Sequence, residues 1–402
     1  MADFKNKFGM FIHWGIYALT GLQEQAYVRY DMKREEYEAL AKEFNPVDYN
    51  PKEWVKLAKD AGMKYICITT KHHDGFCMWD TKYTDYNIMN TPYGKDVIKL
   101  LADECRKQGM KLSFYYSCPD WHYEYGYNEK STHQWKSVNK NHGNFSKYIE
   151  YVKNQITELL TNYGEIYTLF WDIPPCIEDK SINELVRKLQ PGIFINNRGF
   201  DEGDFSTPER EYEVIEGSCR FESMTEACNS VGEQSWGFRK NEDYHSLRYL
   251  TYSIDKIMAM GGSYLLNVGP DEKGVIPEKS KEMIKKVGDW YNRMGGCLEE
   301  TKEDKNEYKA VKHSFIVNEK NGKSYFHFTE GIVSSAVSFE KYPSVPKNVR
   351  LVNLDISLPF EIVRLPEYFD METGKGQENL LHIHSIPIDE LEKEPVVLEI
   401  EW

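Results

Sequence analysis

The sequence predicts an α/β protein: a (β/α)8-like (TIM) barrel, irregular in its second half, followed by a C-terminal antiparallel β-sandwich. Three observations predict it. Short apolar, β-branched runs alternate with amphipathic stretches to about residue 295, the rhythm of a parallel sheet covered by helices. That rhythm breaks between Gly199 and Gly237, where no helical period is convincing. Beyond Gly295-Gly296, short alternating runs separated by turn residues replace helical periodicity altogether. The expected division is a catalytic barrel over 1–298 and a sandwich over 299–402.

Phe8 to Trp14 reads as the first strand. Pro51 to Ala61 is a helix with proline at its start and Gly62 as its stop. Tyr65 to Thr70 is a buried β-branched strand, Asp96 to Gln108 a helix ended by Gly109, and Lys111 to Tyr116 the next strand. Phe145 to Asn162 is helical and Ile166 to Trp171 extended; Ser181 to Leu189 is a helix stopped by Pro191, before a short strand from Ile193 to Asn196. Tyr244 to Met260, Ser263 to Val268 and Pro277 to Met294 read as helix, strand and helix. In the sandwich region Ser314 to Val317, Lys323 to Phe328 and Val396 to Glu401 alternate as strands do.

With 402 residues, 41% of them hydrophobic, the chain can bury one large core and one smaller one. A net charge of −14 argues against nucleic acid or an anionic membrane as partner, since both select basic surfaces. No run approaches the ~18 apolar residues of a membrane span. Met1-Ala2-Asp3-Phe4-Lys5 lacks the apolar stretch of a signal peptide, and the cysteines are scattered without Cys-x-x-Cys spacing. Both features fit reduced thiols in a cytoplasmic protein.

Catalytic groups of such barrels sit where strands end. Here the endings are His13-Trp14, Lys71-His72-His73-Asp74, Tyr115-Tyr116 followed by Trp121-His122, Trp171-Asp172, and Asn196-Asn197-Arg198. Each alone fits a turn or a cap; five converging on one mouth predict a polar site. Adjacent histidines on an extended segment point to opposite sides, and none has the i, i+4 spacing of a zinc helix, so no metal is expected. No Gly-rich phosphate loop follows a strand, and there is no Gly-x-Ser-x-Gly elbow. Carboxylate chemistry among His, Arg, Tyr and Trp remains, needing no cofactor. Those groups bind hydroxyls and cover sugar faces.

Several segments resemble, in order, those of the α-L-fucosidases of glycoside hydrolase family 29. They are Phe8-Gly9-Met10-Phe11-Ile12-His13-Trp14-Gly15, the run from Tyr37 to Pro46, Ala58 to Tyr65 continuing into Thr70-Lys71-His72-His73-Asp74-Gly75-Phe76, Trp171-Asp172, Gly203 to Glu209, Ser235-Trp236-Gly237-Phe238, and Leu265-Leu266-Asn267-Val268-Gly269-Pro270. The resemblance implies an exo-acting retaining hydrolase that releases terminal L-fucose from fucosylated oligosaccharides or glycoconjugates. It implies Asp172 as nucleophile, and His13, Glu24, His72, His73, Arg198 and Tyr115 or Tyr116 as sugar-binding groups, with Trp171 and Trp236 beside them. Two departures stand out: Phe170 holds a position where the family often has Trp, and Ile173-Pro174-Pro175 replaces a small residue after the nucleophile. Both fall on the wall of the site and so bear on the leaving group.

A retaining glycosidase needs two carboxyls about 5–5.5 Å apart, one ionised and one protonated. Asp172 ends an otherwise apolar strand, a costly place for a charge unless it projects into the mouth. For the acid/base the acidic run after Gly203 offers several candidates: Glu209 first, since Asp204-Phe205-Ser206-Thr207-Pro208-Glu209 resembles the family segment that carries it and Pro208 stiffens its approach, then Glu226 and Glu216. Two rival readings stand beside this one. A related exo-glycosidase for a galactose-configured sugar would share the scaffold, and a carbohydrate-binding protein without catalysis would bind sugar and leave it intact.

Overall fold

The computed structural model describes residues 4, 7–138, 145–177, 179–210, 220–364, 369–370, 375–376 and 379–402. Seven parallel strands form one curled sheet: β1 (Phe8–Ile12), β2 (Tyr65–Lys71), β3 (Lys111–Ser117), β4 (Thr168–Asp172), β5 (Phe194–Ile195), β6 (Glu226–Ser230) and β7 (Ser263–Val268). Their order is β5-β4-β3-β2-β1-β7-β6, so β5 and β6 would be edges. The extended segment 204–209 lies between them. Asn197 N–H donates to Phe205 O (2.8 Å) on one side, and Cys228 N–H to Pro208 O (3.1 Å) on the other. It acts as an eighth staves-and-hoop member, closing the ring and removing both unpaired edges.

Helices Pro51–Asp60, Val97–Gln108, Phe145–Asn162, Lys180–Leu189, Leu247–Ala259 and Glu278–Leu298 cover the outside. Sequence signals act as expected at several ends: Asp96 caps its helix by accepting from Lys99 N–H (2.8 Å), and Gly109 ends it at φ 67°. The strand Glu226–Ser230 and the segment 204–209 were not legible as strands. Their polar side chains carry no β signal, yet every residue of Glu226–Ser230 is buried.

The strand period of two sorts side chains into two cores. Inside the barrel lie Phe11, Cys67, Tyr115, Phe170, Phe205, Cys228 and Leu265. The alternate residues, among them Met10, Ile66, Phe114, Trp171 and Leu266, pack outward against the helices. Residues two positions beyond the inner layer therefore line the C-terminal mouth: His13, Ser117, Asp172 and Asn267 on their strands' continuations.

The C-terminal region is a pair of antiparallel sheets. One runs Ile356–Ser357, Asn348–Leu351, Val396–Glu401, Lys323–Phe328, Ile316–Lys320, Lys302–Glu303; the other Phe360–Val363, Leu380–Ile383, Val337–Lys341, Lys309–Ala310. Its own core includes Phe326, Phe328, Phe339, Leu381 and Leu398. Contacts to the barrel run through Leu247–Ala259 and Glu278–Leu298, among them a fully buried Asp255–His327 pair at 2.9 Å and a two-pronged Arg293–Glu394 pair at 3.0 Å.

Candidate active site

Asp172, at the end of β4, is 8% exposed. Tyr115 O–H donates to its Oδ2 (2.6 Å), Arg198 Nη1 donates to its Oδ1 (3.2 Å), and His73 Nε2 stands 3.8 Å from Oδ2. Burial by itself would raise this carboxyl; facing His73, Arg198 and the Tyr115 hydroxyl outweigh it and hold it below the ordinary value. Burial pushes His73 down to about 4, so at pH 7 the permanent positive charge on Asp172 is the Arg198 guanidinium. That makes Asp172 an ionised carboxylate with one hydrogen-bonded and one charge-paired oxygen.

The same Arg198 Nη1 also donates to Glu209 Oε1. Two carboxylate oxygens bonded to one nitrogen lie within about 6 Å of each other, which suits the retaining separation and not the wider inverting one. Glu209 sits at the rim, 37% of its side chain exposed. Burial of its inner side raises its pKa; the Asp172 charge adds to that rise, and Arg198 opposes it. Asp172 and Glu209 are thus pushed apart, one toward the anion and one toward the acid.

The imidazoles around them have assigned roles because their far sides are tied down. Ser117 Oγ donates to Pro119 O (2.9 Å), so it accepts from His73 Nδ1–H (2.6 Å). Asn267 Nδ2 donates to Trp236 O (2.7 Å) and to Ser230 Oγ (3.0 Å), which turns its Oδ1 to accept from His13 Nδ1–H (2.7 Å). With neutral rings, both Nε2 atoms carry lone pairs. His13 is itself held down by burial, against the opposing charges of Glu24 and Asp172. His72 stacks parallel to Tyr115 (5.7 Å, 4°) and stands beside His73 (4.2 Å); burial keeps it neutral, and its Nδ1 has no partner.

Glu24 is buried and accepts three hydrogen bonds on Oε2, from Ser235 Oγ (3.1 Å), Trp236 N–H (3.0 Å) and Gly237 N–H (2.9 Å). It fixes the turn that sets Trp236 against His13 (5.3 Å between rings). The chain packed against that turn needs glycine: a Cβ on Gly269, just after Ser263–Val268, would stand 2.4 Å from the Gly237 carbonyl carbon.

Of the residues singled out from sequence, His13, Glu24, His72, His73, Tyr115, Asp172, Arg198, Glu209 and Trp236 meet here. Tyr116 does not: alternation turns it outward, where its O–H donates to Gln155 Oε1 (2.6 Å) under Lys71. Trp171 also faces outward, donating Nε1–H to Asn183 Oδ1 (3.0 Å); Phe170 is the inward residue and lies under Arg198. Glu226 opens β6 at the opposite end of the barrel, fully buried and accepting from Tyr65 O–H (2.5 Å). Glu216 lies outside the described residues. His122 pairs with Glu38 (2.9 Å), away from the site. Sequence reading missed Ser117 and Asn267, which counting by two from Tyr115 and Leu265 would have found. It also missed Arg210, whose guanidinium lies 4.9 Å from the Trp236 ring, and His133, 5.5 Å from His73, which no local signal marks.

Among the described residues no group of three His, Cys, Asp or Glu is disposed to hold a metal ion. A buried anionic carboxylate, a second carboxyl biased toward protonation and a ring of neutral imidazoles, set in the mouth of a β/α barrel, define the class: a glycoside hydrolase. Comparison with known proteins gives the family. The α-L-fucosidase family profile matches residues 3–296. The chain is 27% identical over 327 residues to the tissue α-L-fucosidase of Rattus norvegicus, covering 73% of this chain and 68% of that one. Among solved structures, α-L-fucosidase isoenzyme 1 of Paenibacillus thiaminolyticus superposes with a TM-score of 0.83 at 31% identity, covering 98% and 96% of the two chains. A family 29 α-L-fucosidase of Bacteroides thetaiotaomicron, trapped as a covalent intermediate with 2-fluoro-fucosyl fluoride, matches with a TM-score of 0.77 at 25% identity, covering 98% and 94%. This chain belongs to the α-L-fucosidase family, glycoside hydrolase family 29, on a (β/α)8 barrel with a C-terminal β-sandwich.

Proposed function

We propose that this enzyme releases terminal L-fucose from fucosylated glycans by double displacement, with Asp172 as nucleophile and Glu209 as acid/base. The observation that carries the assignment is the single Arg198 nitrogen shared by both carboxylates. In the first step Asp172 attacks the anomeric carbon while Glu209 gives its proton to the departing oxygen. Ester formation removes the Asp172 charge, one of the influences that raise Glu209. Glu209 then ionises more readily beside Arg198 and takes a proton from the incoming water. The free Nε2 lone pairs of His13 and His73 accept from sugar hydroxyls, and His72 and Glu24 complete that polar side. Trp236 offers apolar surface, which fits a sugar with a methyl group where galactose has a hydroxymethyl.

We also place the boundary between the two domains after Leu298, where the last barrel helix ends. No helix among the described residues is long and apolar enough to cross a membrane. Seven described cysteines are free thiols, six of them buried, which supports a reducing, cytoplasmic setting.

The test is Asp172→Gly on an aryl α-L-fucoside: turnover should nearly vanish and return with azide as β-L-fucosyl azide. Near-normal activity would remove Asp172 from the mechanism. In parallel, Glu209→Ala should cost poor leaving groups far more than aryl ones; equal losses on both would mark Glu209 as structural.

A further inference from the structure

The residue that follows Glu209 is an arginine to which the double displacement gives no part. Arg210 holds φ 55°, a left-handed conformation uncommon outside glycine, so the chain turns at the end of the extended segment 204–209. Both of its main-chain groups are held in that turn. Arg210 N–H donates to Cys228 O (3.1 Å), and Tyr249 O–H donates to Arg210 O (3.5 Å). Tyr249 is itself fixed by Asn229 Nδ2, which donates to its hydroxyl (3.1 Å), and by the stacked His245 ring (4.4 Å).

The side chain joins the acid/base to the sugar wall. Its guanidinium lies 4.9 Å from the centre of the Trp236 ring, and Nη1 donates to Glu233 O. The same indole stands 5.3 Å from the His13 ring and 6.3 Å from that of Phe11. Glu24 fixes the Trp236 backbone, and Arg210 is the charged group on its ring. Among the described residues no carboxylate is ion-paired with this guanidinium. Its charge acts on Glu209 and Glu242, and on the His13 and His245 imidazoles. At Glu209 burial is the largest influence and raises the pKa; Arg198 lowers it, Asp172 raises it, and Arg210 adds to the lowering. Tyr115 and Cys228 are the other titratable groups facing that carboxyl.

We infer that Arg210 is a positioning residue for the reaction: its guanidinium braces the Trp236 indole and sets a second positive charge beside Glu209. This rests on Glu209 as the acid/base and adds what tunes it. Burial and the Asp172 charge hold the proton on Glu209, and Arg198 is shared with Asp172. A second cation next to Glu209 lets the proton leave as the glycosidic bond breaks. Because the same guanidinium lies on Trp236, the sugar wall and the proton donor are held in one frame.

The experiment takes wild type, Arg210→Lys, Arg210→Met and Arg210→Ala, each shown to be folded by its denaturant midpoint. It measures kcat/KM against pH on a fucosyl disaccharide that wild type cleaves, whose leaving oxygen needs the proton, and the inhibition constant of L-fucose. The basic limb, where Glu209 loses its proton, should move to higher pH by about half a unit in Arg210→Met and Arg210→Ala, as one lost charge at a partly exposed rim requires. Arg210→Lys keeps the charge and should leave the limb where it is in wild type. L-Fucose should bind about fivefold more weakly to Arg210→Ala, which uncovers the indole, and within about twofold of wild type to Arg210→Lys. A limb that stays put in both uncharged variants, or that moves equally in Arg210→Lys, overturns the inference. So does L-fucose binding unchanged in Arg210→Ala, or a loss of rate equal at every pH, which a merely structural residue would give. A basic limb that survives unchanged in Glu209→Ala would instead overturn Glu209 as the acid/base, and this inference with it.

Discussion

Replacing Glu226 by glutamine should make the protein more stable at neutral pH and leave its activity intact. The Glu226 carboxyl is fully buried in the barrel, accepts one hydrogen bond from Tyr65, and has no partner on Oε1. Burial pushes its pKa from 4.5 up to about 8. Below pH 4.5 both folded and unfolded chains carry the proton and the group is indifferent. As pH rises the unfolded chain ionises first, so stability falls by ~1.4 kcal/mol per unit until the folded group ionises near 8. The accumulated loss is below about 1 kcal/mol at pH 5 and about 3 kcal/mol at pH 7. Glutamine keeps the acceptor for Tyr65 and cannot ionise, but adds an unpartnered N–H costing about 1 kcal/mol. The variant should therefore be near or below wild type at pH 5 and about 2 kcal/mol above it at pH 7. Denaturant midpoints from pH 5 to pH 8 measure this. A stability difference that stays constant across that range would refute the reasoning, and lost hydrolysis in a folded Glu226→Gln enzyme would return Glu226 to the catalytic candidates.

Tyr115→Phe removes the 2.6 Å hydrogen bond on Asp172 Oδ2. Hydrogen bonds to charged groups contribute ~1.5–3 kcal/mol, so kcat/KM should fall about ten- to a hundredfold. Because that bond helps depress Asp172, the acid limb of the pH–rate profile should move to higher pH; a limb that stays put would separate Tyr115 from Asp172. Lys71→Met strips the partner from Asp120 in a pair at 2.7 Å with both side chains buried. A loss of about 3–5 kcal/mol is expected in unfolding experiments, largely regained in the Lys71→Met/Asp120→Asn double variant; an unchanged midpoint in the single variant would show the pair to be dispensable.

Local sequence carried the helices with their caps, the strands whose residues are apolar or β-branched, and the clustering of His13, His72, His73, Asp172 and Arg198 at strand ends. These are short-range properties: hydrophobic period, stop signals and a charge after an apolar run each lie within a few residues. Tyr116, Trp171 and Phe170 show where such reading needed one more step, since choosing between neighbours on a strand depends on which face turns inward. Other features have no local signature. The segment 204–209 is a strand only because β5 and β6 stand on either side to accept it. Glu226 and Glu209 lie in one acidic run, yet the barrel sends one to its floor and the other to its rim. The opposed shifts of Asp172 and Glu209 have no local signature either: at Asp172 the facing His73, Arg198 and Tyr115 outweigh burial, whereas at Glu209 burial and the Asp172 charge outweigh Arg198, because burial and Coulomb interactions depend on distance in space and not on separation in sequence.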